Sequence, residues 1–351
     1  MDTIITATAP VRTCDCGGWT DTWFARRGSV FHIAVNPGVR VVLRSRPGEA
    51  PGGGSIRLHA ENYGDQYTFT PGARPLGRHP LLEAAIESVG VPPGMRADVR
   101  VGSTVPPGAS TGTSAAVCVA LVGALRTWAG LGLEPDLVAA AAHRVEVDLL
   151  QQQSGLQDQL AAAHGGVNYI EIRNYPSAIV HALDVPAAAW SALERQLLLV
   201  YLGRTHSSSA IHEEVIRGLS GDRTGNHPAL GALREAAGAA RDAVVAGDLS
   251  RLGLAMRANT EAQRLLHPAL VGVDARRVIA IAKEHDALGW KVNGAGGEGG
   301  SLAVLCRADA GARDDLETAI RAVSPGYAII PTTIARRGLE VAVRDAVPEG
   351  A

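Results

Sequence analysis

The chain has 351 residues, 46% hydrophobic and 19% charged, and a formal net charge of -2; this length suits two domains, and the charge balance argues against a nucleic-acid surface. Cys14, Cys16, Cys118 and Cys306 are too scattered for a disulfide framework, and the Cys14/Cys16 pair lacks the second Cys/His pair of a structural zinc site. With no basic, apolar leader and no run of membrane-spanning length, a cytoplasmic protein with reduced thiols and no membrane partner is expected.

Alternating and β-branched segments dominate the start. TIITATA, SVFHIAV and VRVVLRSR read as strands, and so do IRLHAE and QYTFT beyond the turn-rich PGEAPGGG. LLEAAIESVG has helical texture, and MRADVRVGSTV reads as a strand leading into VPPGASTGTSAAV, residues 105–117. The run behind it, SAAVCVALVGALRTWAGL, is apolar nearly all round and is expected in the core. PDLVAAAAHRVEVDLLQ predicts a helix with Pro135 near its first turn, GLQDQLAAAHGG a short helix, and VNYIEIR a strand. Residues 175–189, rich in proline and alanine, predict a looser connection before the buried strand RQLLLVYLG. The second half alternates helices (SSAIHEEVIRGLS, ALREAAGAARDAVVAG, ARRVIAIAKEHDA) with strands (WKVNGAG, SLAVLCR, YAIIPTTI), and SGDRTGNHP reads as a mobile loop. A boundary near residue 185 divides the chain into domains 1–185 and 186–351.

Four segments carry chemistry. In VPPGASTGTSAAV, Gly108 and Gly112 do not make a Walker A loop, because Thr113 stands where the lysine is required. The backbone N–H groups and the hydroxyls of Ser110, Thr111, Thr113 and Ser114 at a helix start favour an anion such as phosphate; a Ser- or Thr-capped entry into a buried helix fits the same letters. Glu146 and Asp158, twelve residues apart, match a kinase's need for one carboxylate to hold magnesium and one to receive or orient the acceptor proton. Asp158 by itself also reads as a helix-start charge. KVNGAGGEGGS places five glycines among the seven residues 294–300, more than a turn demands, and points to close backbone approach by a ligand. APVRTCDCGGWTD is a strand and turn with one arginine and two acids; Asp21 is expected to be exposed there, suited to sugar hydroxyls or to a solvated turn.

In this order the four segments resemble the GHMP kinase superfamily over almost the whole chain. VPPGASTGTSAA is similar to its P-P-x-G-x-G-L-G-S-S-A-A phosphate loop, KVNGAGGEGG to its G-A-G-G-G-G loop, and APVRTCDCGGWTD to its N-terminal substrate motif. GGWTDT and GLQDQLAAAHGGVNYIEI most resemble the branch of bacterial heptose 7-phosphate kinases and L-fucokinase domains, which phosphorylate the anomeric hydroxyl. The resemblance implies an α+β, two-domain GHMP kinase fold: an N-terminal domain like ribosomal protein S5 domain 2, a ferredoxin-like C-terminal domain, and the site in the cleft.

It also implies roles. Asp158 would accept or orient the proton of the C1 hydroxyl, and Arg12 would stabilise the transferred phosphoryl group. Pro107, Gly108, Ala109, Ser110, Thr111, Gly112, Thr113 and Ser114 would wrap the phosphates of ATP, with Ser114 and Glu146 on Mg2+. Gly18, Trp19, Thr20 and Asp21 would bind the sugar, and Gly294, Ala295, Gly296 and Gly297 would close the site beside it. His206 stands where this branch has an anion-binding arginine, Ser110-Thr111 replaces the usual Gly-Leu, and Glu298 enters the glycine loop. The expected acceptor is D-glycero-D-manno-heptose 7-phosphate, with Arg26, Arg27 and Arg204 as candidates for its distal phosphate. The alternatives are a free fucose-, arabinose- or galactose-like sugar, a homoserine- or mevalonate-type alcohol, or an inactive sugar- or nucleotide-binding homologue. A homodimer is one assembly open to it.

Overall fold

The computed structural model describes residues 3–47, 54–72, 76–204, 208–219 and 225–345. The first half runs β1 (Thr3–Cys16), β2 (Gly28–Pro47), β3 (Ile56–Ala60), β4 (Asp65–Phe69), α1 (Pro80–Val89), β5 (Met95–Ser103) and α2 (Thr113–Trp128). It continues through α3 (Pro135–Arg144), a π-helical turn (Val145–Leu149), α4 (Gln157–His164), β6 (Val167–Asn174) and β7 (Ser177–Ala182). The second half contains α5 (Ala187–Gln196), β8 (Leu197–Tyr201), α6 (Ser208–Leu219), α7 (Pro228–Val245), α8 (Leu249–Leu266) and α9 (Val273–Glu284). It ends with β9 (Gly289–Val292), β10 (Ser301–Leu305), α10 (Ala312–Val323), β11 (Ala328–Ile330), β12 (Thr333–Ile334) and β13 (Glu340–Asp345).

Two sheets organise these elements. The larger has the order β13-β1-β2-β5-β3-β4, with β12 and β6 also on β2 and β7 on β6; the smaller is β11-β8-β10-β9. β2 is long enough to serve two neighbours, its first part pairing with β6 and its second with β5. SVFHIAV and VRVVLRSR are therefore one strand rather than two. The proline- and alanine-rich stretch contains β7, antiparallel to β6, so the looser connection begins only after Ala182. YAIIPTTI also divides differently: Pro331 separates β11 of the small sheet from β12 of the large one.

α2 is buried from Ala115 to Leu125 except at Val117, as its all-round apolar sequence requires. It packs on β1 and β2, while α7 covers the same two strands. The end of the chain closes against this layer: β13 pairs with β1, and a Cβ at Gly123 of α2 would meet Leu339 at 2.6 Å. Of SGDRTGNHP, only Gly225 onward lies within the described residues.

Candidate active site

From Ala9 to Cys16 every residue of β1 is buried, so its polar side chains require partners. A regular strand would send Arg12 and Asp15 to opposite faces. Here the register against β2 shifts between Thr13 and Cys16, and Cys14 takes φ +54. This irregularity turns the two toward each other, with Arg12 Nη1 4.0 Å from Asp15 Oδ1. Arg12 also grips Asp158, the second residue of α4, through Nε to Oδ1 at 2.8 Å and Nη2 to Oδ2 at 3.3 Å. Burial by itself would depress the Arg12 guanidinium; Asp15 and Asp158 outweigh it and hold the group above its ordinary range.

The phosphate-loop segment is tied to the same strand. The Arg12 N–H donates to the Thr111 carbonyl at 2.9 Å, and Arg12 Nη1 donates to the Ser110 carbonyl. Gly108, Ser110 and Gly112 have φ of +72, +56 and +72, and such left-handed residues alternating with others are the kind of backbone that can gather N–H groups toward an anion. α2 begins behind Gly112 with no side-chain cap and no acid in its first turn. The capped-entry alternative is therefore not what forms, and the open helix N-terminus favours an anion. Pro107 and Ser114 are exposed, Ala109 and Thr111 are buried, and Gly108, Gly112 and Thr113 are half-buried. A Cβ at Gly112 would lie 2.9 Å from Asp158 Cγ, so the loop reaches Asp158 only because glycine is there.

Glu146 sits in the π-helical turn, 2% exposed. Its Oε2 accepts from Ser154 Oγ at 2.7 Å and Gln159 Nε2 at 2.6 Å, while Oε1 has no partner. Burial pushes its carboxyl up to about 7. An orphaned buried carboxylate oxygen fits a cation, and Glu146, Ser114 and substrate phosphates together make a suitable magnesium set. Among the described residues no group of three or more His, Cys, Asp or Glu makes a metal cage without substrate.

Asp21 differs from its expected exposure. It is 2% exposed, its Oδ2 accepts from the Gln157 N–H at 3.0 Å, and its carbonyl accepts from the Leu156 N–H at 3.3 Å. It thus ties down the start of α4 next to Asp158 while still lining the cleft, and burial pushes its carboxyl up to about 6 against the Gln157 hydrogen bond. Trp19 also lines the cleft. Thr20 does not, because its buried hydroxyl donates to the Gly17 and Ser29 carbonyls. Gly18 packs close to Asp15 and Gln157, each about 3 Å from where its Cβ would be.

The second half contributes the glycine loop. Gly294 and Ala295 line the cleft, and a Cβ at Gly294 would sit 3.2 Å from Arg12 Nη2. Gly296 and Gly297 turn away to the Leu270 carbonyl, which accepts from the Gly297 N–H at 3.0 Å. Glu298 accepts from the Val273 N–H at 3.2 Å, placing its charge at the N-terminus of α9. His206 lies outside the described residues. Arg27 donates to Asn226 at 2.6 Å and Arg204 pairs with Asp274 at 3.6 Å; neither they nor Arg26 line the cleft.

Sequence reasoning missed Ser154, Gln159, Asp15 and Lys291. The last two form a fully buried ion pair, Lys291 Nζ to Asp15 Oδ1 at 3.2 Å. Burial would raise the Asp15 carboxyl, but Arg12 and Lys291 prevail and hold it below the usual carboxylate range. A lysine inside the short apolar strand GWKV was the available signal. Arg12, Trp19, Asp21, Glu146, Ser154, Asp158, Gly294, Ala295 and the 108–114 loop line a cleft of about 690 Å3. A second hollow of about 780 Å3, beside the middles of β1 and β2 and the end of β5, contains none of the expected site residues.

Known proteins share a domain and the fold with this chain. The domain described as "GHMP kinases N terminal domain" matches residues 80–166. The D-glycero-alpha-D-manno-heptose 7-phosphate kinase of Campylobacter jejuni is 27% identical over 197 residues, 56% of this chain and 58% of that one. The chain thus spans little more than half the length of that relative. The mevalonate kinase of Thermococcus sibiricus is 29% identical over 253 residues, 69% of this chain and 68% of that one. Among solved structures, a D-glycero-D-manno-heptose 1-phosphate kinase from Bacteriodes thetaiotaomicron has TM-score 0.74 at 17% identity, covering 97% of this chain and 98% of its own. Lactococcus lactis galactokinase complexed with galactose has TM-score 0.73 at 16% identity, covering 96% and 95%. At these identities the likeness is one of fold, and it spans both sheets. Matched domain, sequence relatives and fold converge on one family: residues 80–166 carry the GHMP kinase N-terminal domain, and the chain as a whole is similar to GHMP kinases, which take their phosphate from ATP.

Proposed function

We propose that this chain transfers the γ-phosphoryl group of ATP to a sugar, at the anomeric hydroxyl, in the cleft between domains 1–185 and 186–351, with the strands of 333–345 returning to the first. The observation that carries the reading is the Arg12–Asp158 pair beside the open N-terminus of α2. The acceptor oxygen attacks the γ-phosphorus as its proton passes to Asp158, and the bond to the bridging oxygen of ADP breaks. Arg12 offsets charge on the group in transit, and the 107–114 backbone holds the phosphates. Magnesium, held by Glu146 and Ser114, would neutralise phosphate charge. Asp21, Trp19, Gly294 and Ala295 orient the sugar.

Two acceptors are in play. The Campylobacter relative's name specifies a heptose 7-phosphate, and that acceptor is the first reading. An unphosphorylated sugar is favoured by a specific observation: among the described residues lining the cleft, Arg12 is the one arginine or lysine, against Asp21, Glu146, Asp158 and Glu213. Like charges at close range penalise a second phosphate. ATP consumption against free sugars, sugar 7-phosphates and mevalonate tests both readings. Turnover with a sugar is expected; ATP binding with no turnover on any acceptor contradicts the proposal, and turnover with mevalonate alone moves it to the alcohol kinases.

A further inference from the structure

Asp15 is fully buried and does not line the cleft. Three groups from two halves of the molecule nonetheless converge on its carboxylate. Lys291 of β9, itself fully buried, brings Nζ to 3.2 Å from Oδ1. The Gly294 N–H donates to Oδ1 and Oδ2 at 3.2 and 3.0 Å, and Arg12 stands 4.0 Å away on the remaining flank. An apolar pair would hold such a seam as well, since buried ion pairs rarely add stability over good packing. Packing therefore does not account for the pair.

Its place in the molecule does. Lys291, Asp15, Arg12 and Asp158 alternate in charge along a line from the small sheet to the transfer centre. Asn293 fastens the same joint, accepting from the Cys14 N–H at 3.0 Å and donating to Ser301 Oγ at 3.0 Å. The first glycine of the loop is thus bolted to β1 at the irregularity that aims Arg12. Arg12 commits Nε and Nη2 to Asp158 and Nη1 to the Ser110 carbonyl; Asp15 is the charge behind it.

We propose that Asp15 and Lys291 are positioning residues for the transfer: the clamped Asp15 carboxylate fixes Arg12 against Asp158 and ties that alignment to the Gly294 loop of the other half. The inference rests on the kinase reading above. Misplacing a reacting group by about 1 Å costs on the order of 100-fold in rate, whereas ATP contacts belong to the 107–114 loop and stay intact.

Removing one member strands a buried charge, so the informative variant is the balanced double substitution Asp15→Asn/Lys291→Met. It is expected to melt close to the wild type and keep the wild-type KM for ATP, while kcat for the best acceptor falls on the order of 100-fold. Wild-type kcat in the folded double variant would overturn the inference, since a merely structural seam predicts recovery of both. If the double variant does not fold, Gly294→Ala probes the same joint from the loop, where its Cβ would press on the Ser110 carbonyl at 3.0 Å and Arg12 Nη2 at 3.2 Å. Loss of kcat at unchanged KM for both ATP and the acceptor supports the coupling; wild-type kcat, or a raised acceptor KM that marks a disturbed sugar subsite, overturns it. Absence of turnover in the wild type itself would strike the kinase reading instead.

Discussion

Glu146 and Asp21 carry acid–base behaviour that ordinary carboxylates lack. Burial raises Glu146 to about 7 and Asp21 to about 6, so each folded carboxyl holds its proton at pH values where the unfolded chain has released it. Their stabilising contribution is complete below the unfolded value and is lost as pH rises through the folded one. Glu146→Gln should therefore gain stability relative to the wild type as pH rises from about 4.5 to about 7, read as the gap between metal-free melting temperatures. A constant gap would refute that state for Glu146. The same variant should lose the melting response to magnesium in the presence of ATP. Glu146, Asp158 and Arg12 were legible in the sequence because their types and order matched a known chemistry. Asp15 and Lys291 were not, because their pairing depends on a strand irregularity that joins residues far apart in the chain. Asp21 was misread as exposed because its letters, Gly-Gly-Trp-Thr-Asp, belong to a turn, whereas its partner is the start of a distant helix.

In the 107–114 loop Ser110-Thr111 departs from the Gly-Leu of the family pattern, and the backbone explains what the departure means. Ser110 adopts φ +56, a conformation that costs a non-glycine residue roughly 1–2 kcal/mol. Ser110→Gly should remove that strain but return part of it as unfolded-chain entropy, leaving the protein equal to or slightly above wild type in thermal stability with transfer retained. Gly112→Ala should behave oppositely, because its Cβ would meet Asp158 Cγ at 2.9 Å; kcat should fall more than ATP binding. Wild-type kcat in Gly112→Ala would show that the loop and Asp158 move independently. Strands and helices with strong apolar patterns, such as α2 and β8, were readable from sequence. α8 was not, because its buried face includes Gly253, Asn259, Thr260 and Gln263, which give little periodic signal. Asn259 is nonetheless used, accepting from the Gly17 N–H at 2.7 Å.

At the scale of the whole molecule, the two halves are interlocked. β12 and β13 from the end of the chain join the first sheet, and α7 covers β1 and β2. Residues 1–185 expressed alone should therefore fail to melt cooperatively, since β1 loses a neighbour and one face of the β1–β2 layer is uncovered; a sharp transition in that fragment would contradict the interlocking. The alternation of strands and helices revealed a mixed fold from sequence, but the return of the last strands did not show, because pairing across the chain leaves no local pattern. The interlocking brings Arg12, Asp158, the phosphate loop and the glycine loop to one place, and the central claim is that Asp158 there receives the acceptor proton. The most direct test compares wild type and Asp158→Asn in ATP affinity and in the rate of phosphate transfer to the best acceptor. Near-equal ATP affinity with a rate about 10²- to 10⁴-fold lower is expected for a lost general base, and a wild-type rate in Asp158→Asn would contradict the account.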